Sequence, residues 1–312
     1  MDLKGIFINE FGRLRSGLRF ATFLGVFFFV SLVVGTFAAA ILWFVHIDIN
    51  SHRALFITLN GVLSLIPAIG LGWLCGWFFE GLPFRALGCW FTNGWLKHLG
   101  LGCLVGAVTI GLAVLIASAP GGLSFTLDVA KGQEAVLETL GTSLSVFAVA
   151  AAFEESLFRG YMLQTLNRAG LGWLAIAMTA IFFGLVHLGN PGANAISTAN
   201  TMLAGVWFGV AYLKTRDLWF PFGIHLVWNW MQGSVFGIEV SGLTEISPAP
   251  ILNEVDRGPA WLTGESYGIE ASIACTVAIL VSIVLIYYLP GIRPSEEMLA
   301  MTSRETLRSE IQ

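Results

Sequence analysis

Charge is what this sequence most lacks. Only 12% of its 312 residues are charged, against 56% hydrophobic, whereas a soluble domain carries about 25% charged residues. The deficit excludes an ordinary water-soluble globule. Basic patches interleaved with aromatics are also missing, which excludes a nucleic-acid partner. Cysteine is scarce: Cys75, Cys89, Cys103 and Cys275 are scattered in or beside apolar segments without a CxxC pair. That spacing argues against a disulfide framework or a structural zinc site and leaves the thiols as small buried hydrophobes. No GxSxG and no HExxH occurs, and no cysteine adjoins a histidine in the polar spans. The common signatures of serine, zinc and cysteine hydrolases are therefore absent.

What the chain has instead is long apolar runs, with a mean hydropathy of +0.77. A span needs roughly 20 mostly apolar residues, and eight segments qualify: Leu18–Val45, Leu55–Phe79, Leu96–Ala117, Val136–Leu163, Leu171–Leu188, Ala195–Leu213, Leu218–Phe236 and Ala271–Leu289. The expected fold class is all-α, a polytopic membrane bundle with both termini cytoplasmic. With eight spans, the lysines and arginines divide 12 to 3 between inside and outside segments, Arg159 being set aside as part of a helix. That bias is the one cytoplasmic loops carry. The first run is too long for a signal-peptide core and reads as a retained span, and the C-terminal Ser-Glu-Ile-Gln offers no prenylation cysteine. Compact loops without organelle signals point to a bacterial inner membrane. Residues 84–95, rich in aromatics and too short to span, read as an interfacial segment leading into the third helix.

The chain divides into residues 1–135 with three spans, 136–236 with the polar spans, 237–270 as an acidic outer loop, and 271–312 with the last span and a cytoplasmic tail. The loop carries Glu239, Glu245, Glu254, Asp256, Glu265 and Glu270 against one arginine. A solvated loop is its simplest reading, since loops are commonly polar; capping the outer face and binding a partner are the alternatives.

Ionisable groups within spans mark functional sites by default. The fourth span holds Glu154, Glu155 and Arg159, the fifth His187, and the seventh His225 and Asn229; Asn200 in the sixth is a weaker candidate. Glu155 and Arg159, four residues apart, share a helix face and can pair. Glu154 is rotated by about 100° from Glu155 onto a face with Phe147, Ala151 and Phe158. A carboxylate among apolar groups is tuned toward use as a base or acid near neutrality. One glutamate thus reads as structural and the other as free for chemistry. His225 and Asn229 share a face and can direct an imidazole and an amide at one point, as donors to a tetrahedral oxyanion. His187 can orient the attacking water or the carboxylate. Glu154 and His225 come out at similar depths, roughly 10–14 Å from the cytoplasmic ends, whereas His187 comes out nearer the outer side. Ser156 adjoins the glutamates but points elsewhere on the helix, and His46, His52 and His98 fall at span ends or loops with no partner in view. Phe153, Phe158, Phe183 and Trp228 read as packing.

At these residues the chain resembles a known family. Glu154-Glu155-Ser156-Leu157-Phe158-Arg159 fits EExxxR, Phe183-Gly184-Leu185-Val186-His187 fits FxxxH, and His225-Leu226-Val227-Trp228-Asn229 fits HxxxN, the three motifs of the CAAX prenyl protease type II family, also called CPBP or ABI. They occur in order in separate spans over Glu154–Asn229. The resemblance implies an eight-helix intramembrane glutamate protease whose cavity opens towards the cytoplasm. It implies that Glu154 activates the water with help from His187, that His225 and Asn229 form the oxyanion site, and that Glu155, Arg159 and Phe183 support them. The expected reaction is hydrolysis of a peptide bond in a peptide or lipidated protein at the lipid bilayer. No cofactor is expected. A zinc ion held by Glu154, His187 and His225 with water in the fourth position is an alternative, though no carboxylate is evident behind either histidine. A proton-coupled carrier and a non-catalytic immunity protein stand outside enzymes; the first predicts inverted repeats, of which none is evident.

Overall fold

The computed structural model describes residues 4–46, 53–128, 131–243 and 245–303. The apolar runs fold as helices α1 (Ser16–Val45), α2 (Arg53–Glu80), α3 (Trp95–Ser118), α4 (Gln133–Leu157), α5 (Leu163–Arg168), α6 (Gly172–Val186), α7 (Ala195–Thr215), α8 (Trp219–Trp230) and α9 (Ile273–Tyr288), followed by a short α10 (Glu296–Thr302). Each of the eight expected spans is helical. Five continuous helices, one of them running from Gln133 to Arg168, are long and apolar enough to cross a membrane alone; α6 and α9 are shorter apolar helices. The chain is a multi-pass helical membrane protein.

Two helices contain a π turn, the rare i→i+5 winding that clusters at functional sites. One, Phe158–Met162, joins α4 to α5 and is kinked at Gly160; the other, Met231–Val235, continues α8. Both begin within two residues of a motif end. The fourth span therefore runs on to Arg168, five residues beyond its expected end at Leu163.

Lipid offers no hydrophobic drive between helices, so close contact depends on small residues. On α3, Gly102 and Gly106 lie against α8: a Cβ at Gly102 would meet the Phe220 carbonyl oxygen at 2.3 Å, and one at Gly106 the Ile224 carbonyl oxygen at 2.5 Å. Backbone thus lies on backbone, and His225, the residue after Ile224, is set by that contact. Gly205 of α7 is as close to α6, with 2.6 Å between a hypothetical Cβ and the Ala180 Cα.

The bundle has two distinct ends. At one, Glu80 closes α2 against Arg19 of α1 and Arg168 of α5, and accepts from Thr165 Oγ1 at 2.6 Å, all four residues being buried. There too Asp217 pairs with His98 and accepts from the Trp219 N–H at 3.0 Å, tying the starts of α3 and α8. His98 therefore has a partner, contrary to the sequence reading, and Arg19 and Arg168, read as charges of cytoplasmic segments, are buried. The C-terminal segment docks at the same end, with Lys97 Nζ on the Gly291 carbonyl at 3.2 Å and Arg85 on Glu297 at 3.2 Å. The aromatic segment before α3 forms a turn at Phe84–Leu87 and stacks Phe91 and Trp95 on Trp219, as an interfacial element would.

At the other end, β1 (Leu123–Thr126) and β2 (Asn253–Asp256) pair antiparallel, Leu123 opposite Asp256. This ribbon and the adjoining chain overturn the solvated-loop reading of 237–270. Ile238, Val240, Ile246, Leu262, Tyr267 and Ile269 are buried, and the loop covers the bundle. Its acidic surface conceals apolar residues that close over the helix ends.

Candidate active site

The polar residues converge on one cavity of about 360 Å³ between α4, α6, α7, α8 and the covering loop. Glu154, His187, His225 and Asn229 all line it, with Phe183 and Trp228 among its aromatic walls. The expected constellation therefore assembles in space.

His225 is its centre. Its Nδ1 lies 2.9 Å from Glu155 Oε1, and its Nε2 lies 3.7 Å from Glu154 Oε2. An ionised carboxylate only accepts, so Nδ1 carries a proton and donates it to Glu155. The tautomer and ring orientation follow from that bond, and Nε2 turns to Glu154. Phe208 stacks on the imidazole at 4.7 Å between centroids.

Glu155 is 1% exposed and its Oε1 also accepts from Arg159 Nη1 at 3.2 Å, the expected i,i+4 pair. The sequence reading stopped at this pair and missed that the same oxygen holds His225. Arg159 is fully buried, donates through Nη2 to the Gly205 carbonyl at 3.2 Å, and lies over the faces of Phe183 at 4.7 Å and Phe208 at 4.9 Å. Buried cations need such partners. Phe183 is thus a support for Arg159. Phe208 was missed because a phenylalanine in an apolar helix carries no signal of its own.

Glu154 differs from its neighbour. Its side chain is 21% exposed against 1% for Glu155, while among the described residues Oε2 of each glutamate is buried without a hydrogen-bond partner. That of Glu154 has a neighbour in His225, but at a distance beyond direct hydrogen bonding.

His187 caps the C-terminus of α6, where its Nδ1 donates to the Phe183 carbonyl at 2.7 Å. The depth mismatch disappears because α6 is only 15 residues long and ends at the cavity, while the chain beyond Glu154 runs further than expected. Asn200 serves the scaffold: its Nδ2 donates to the Glu270 and Ser272 carbonyls at 2.8 Å, fixing the loop to α7.

The covering loop supplies residues that the sequence did not mark. Glu270 and Ser241 line the cavity, and Glu270 Oε2 accepts from the Ser241 hydroxyl at 2.9 Å and from its N–H. Burial pushes the Glu270 carboxyl above the ordinary range, against the lowering effects of Ser241 and His187. Five other acidic residues in the loop hid the one that lines the cavity. The cavity also lies at the loop end of the bundle, not at the end carrying the arginine-rich segments. Among the described residues, no three His, Cys, Asp or Glu side chains gather in an arrangement able to hold a metal ion.

Fold and cavity together define a polytopic helical membrane protein with a carboxylate–imidazole centre. Residues 136–231 match the family described as "Type II CAAX prenyl endopeptidase Rce1-like". That stretch starts within α4, ends just past Asn229 and includes all three motifs, so the family resemblance stands. An "Uncharacterized 24.3 kDa protein" of Escherichia coli is 26% identical over 143 residues, covering 43% of this chain and 63% of that protein. The chain thus aligns with less than two thirds of that relative.

Proposed function

We propose that the chain is an intramembrane endopeptidase in which Glu154 activates a water molecule. The observation that carries this reading is the position of His225 between the two glutamates, bonded to one and 3.7 Å from the other. A polar gap of that width suits a bridging water. Glu154 takes a proton from the water as its oxygen attacks the peptide carbonyl carbon. The oxyanion accepts hydrogen bonds from His225, in its charged form, and from Asn229. Glu154 then returns the proton to the leaving nitrogen as the C–N bond breaks, giving a carboxylic acid and an amine. His187, held through Nδ1, presents Nε2 to the water. Glu155 and Arg159 keep His225 oriented and its charge balanced, a role played through His225 and not on the substrate. No cofactor enters this route.

The substrate class follows the family: a membrane-associated peptide or lipidated protein, cleaved at the bilayer of a bacterial inner membrane. Glu154→Gln should abolish cleavage while the protein folds and inserts; cleavage at the wild-type rate overturns the assignment. Exhaustive treatment with a strong chelator should leave activity intact, and loss restored by zinc would favour the metal alternative.

A further inference from the structure

The cavity has a blocked side and an open one. From Glu154 towards the arginine-rich end, the space is filled by Glu155, Arg159, Phe158, Phe183 and Phe208, none more than 4% exposed. Towards the other end, Ile57, Leu243 and Ile246 line both the cavity and an adjoining surface cleft that reaches Pro191, Gly192 and Ser266. The cavity that holds Glu154 and the surface cleft thus adjoin at the loop end, with these three residues between them. Ile57 belongs to α2, whose nearby Leu55 and Leu59 are exposed as lipid-facing residues are. The mouth therefore lies where the bilayer meets water.

The charges say which water. Among the described residues, ten of the 13 lysines and arginines outside Arg159 belong to segments at the end opposite the mouth, and such segments stay in the cytoplasm. The pairings of Lys97, Arg85 and Lys214 with the C-terminal segment place those residues together at that end.

We infer that the cavity is loaded from the non-cytoplasmic side, and that its substrate is a polypeptide anchored at that surface whose scissile segment enters between α2 and the covering loop. This rests on the protease reading of the cavity, and it departs from a lipidated tail presented by the cytoplasm. The substrate class becomes membrane-tethered proteins with a cleavable stretch at the outer interface.

Sidedness is measurable without any substrate. Ala150, one helical turn from Glu154, lines the cavity; Ser266 marks the mouth and Arg293 the opposite end. Ala150→Cys, Ser266→Cys and Arg293→Cys are each made in the full-length chain and treated with a charged, membrane-impermeant thiol reagent in right-side-out and in inverted vesicles. Peptide mass spectrometry reads each site, so the native cysteines need not be removed. Ala150→Cys and Ser266→Cys should be modified in right-side-out vesicles and Arg293→Cys in inverted ones. Modification of Ala150→Cys in inverted vesicles, or in neither, overturns the inference, as does Ser266→Cys following Arg293→Cys. The outcome is separable from the protease reading: reversed labelling with Glu154→Gln inactive refutes the sidedness alone, and outward labelling with Glu154→Gln fully active refutes the chemistry alone.

Discussion

Neutralising either of two adjacent glutamates should have unequal consequences for stability. Glu155 is buried and its Oε1 binds both His225 and Arg159. In Glu155→Gln the fully buried guanidinium keeps the Gly205 carbonyl and the faces of Phe183 and Phe208 but loses its counter-charge. Removing one partner of a buried pair costs about 3–5 kcal/mol. The aromatic contacts exist before and after, so they offset nothing. The glutamine oxygen can still accept a hydrogen bond, which restores about 1 kcal/mol. A net loss of roughly 2–4 kcal/mol is expected. Glu154 accepts no bond from its nearest base and is partly exposed, so Glu154→Gln should change stability by less than about 1 kcal/mol. The assay is equilibrium unfolding in mixed micelles, followed by the fluorescence of the 11 tryptophans, beside cleavage of a membrane-anchored reporter. Both variants should lose activity, and only Glu155→Gln should lose stability. Equal destabilisation, or a Glu155→Gln protein as stable as wild type, would refute the division of roles.

Three further outcomes are expected. Asn229→Ala should lower kcat with little change in KM, and an effect confined to KM contradicts an oxyanion role. Gly106→Val should push α8 from α3 and displace His225, lowering stability by about 1–3 kcal/mol or more together with activity. Gly111→Val, on the same helix where a Cβ meets nothing within 4 Å, should be neutral in the same unfolding assay. Burial, with Glu239 and Asp256, raises the Glu254 carboxyl from its ordinary 4.5 to about 8. The folded chain then binds a proton that the unfolded chain releases, so this contribution is present at low pH and lost as pH rises from 4.5 through about 8. The thermal midpoint should fall over that window, and Glu254→Gln should flatten the fall.

The spans and the polar residues were legible because lipid imposes strict rules. A span must be long and apolar, and an ion inside one needs a partner or a task. Glu155 with Arg159 could be paired because helix geometry puts them four residues apart. Bonds between helices were not legible in the same way. Glu80 with Arg19 and Arg168, His98 with Asp217, and Glu155 with His225 each join residues from separate elements, and no local spacing announces them. The covering loop misled for a related reason: Glu245, Asp256 and Glu265 are exposed, and its burial depends on helix ends distant in sequence.

The sequence by itself determined the membrane class and the helices and marked Glu154, His187, His225 and Asn229, because hydropathy and helical period are properties of neighbouring residues. Tertiary structure alone decided how that set is arranged. It placed His225 between the glutamates and left Glu154 partly exposed in the cavity while Glu155 is buried. It ended α6 at the cavity and filled the side towards the arginine-rich segments with Arg159 and its phenylalanines. These are consequences of packing between helices, in particular the glycine contacts that bring α3 against α8, and packing is a relation among segments that no single stretch of chain contains.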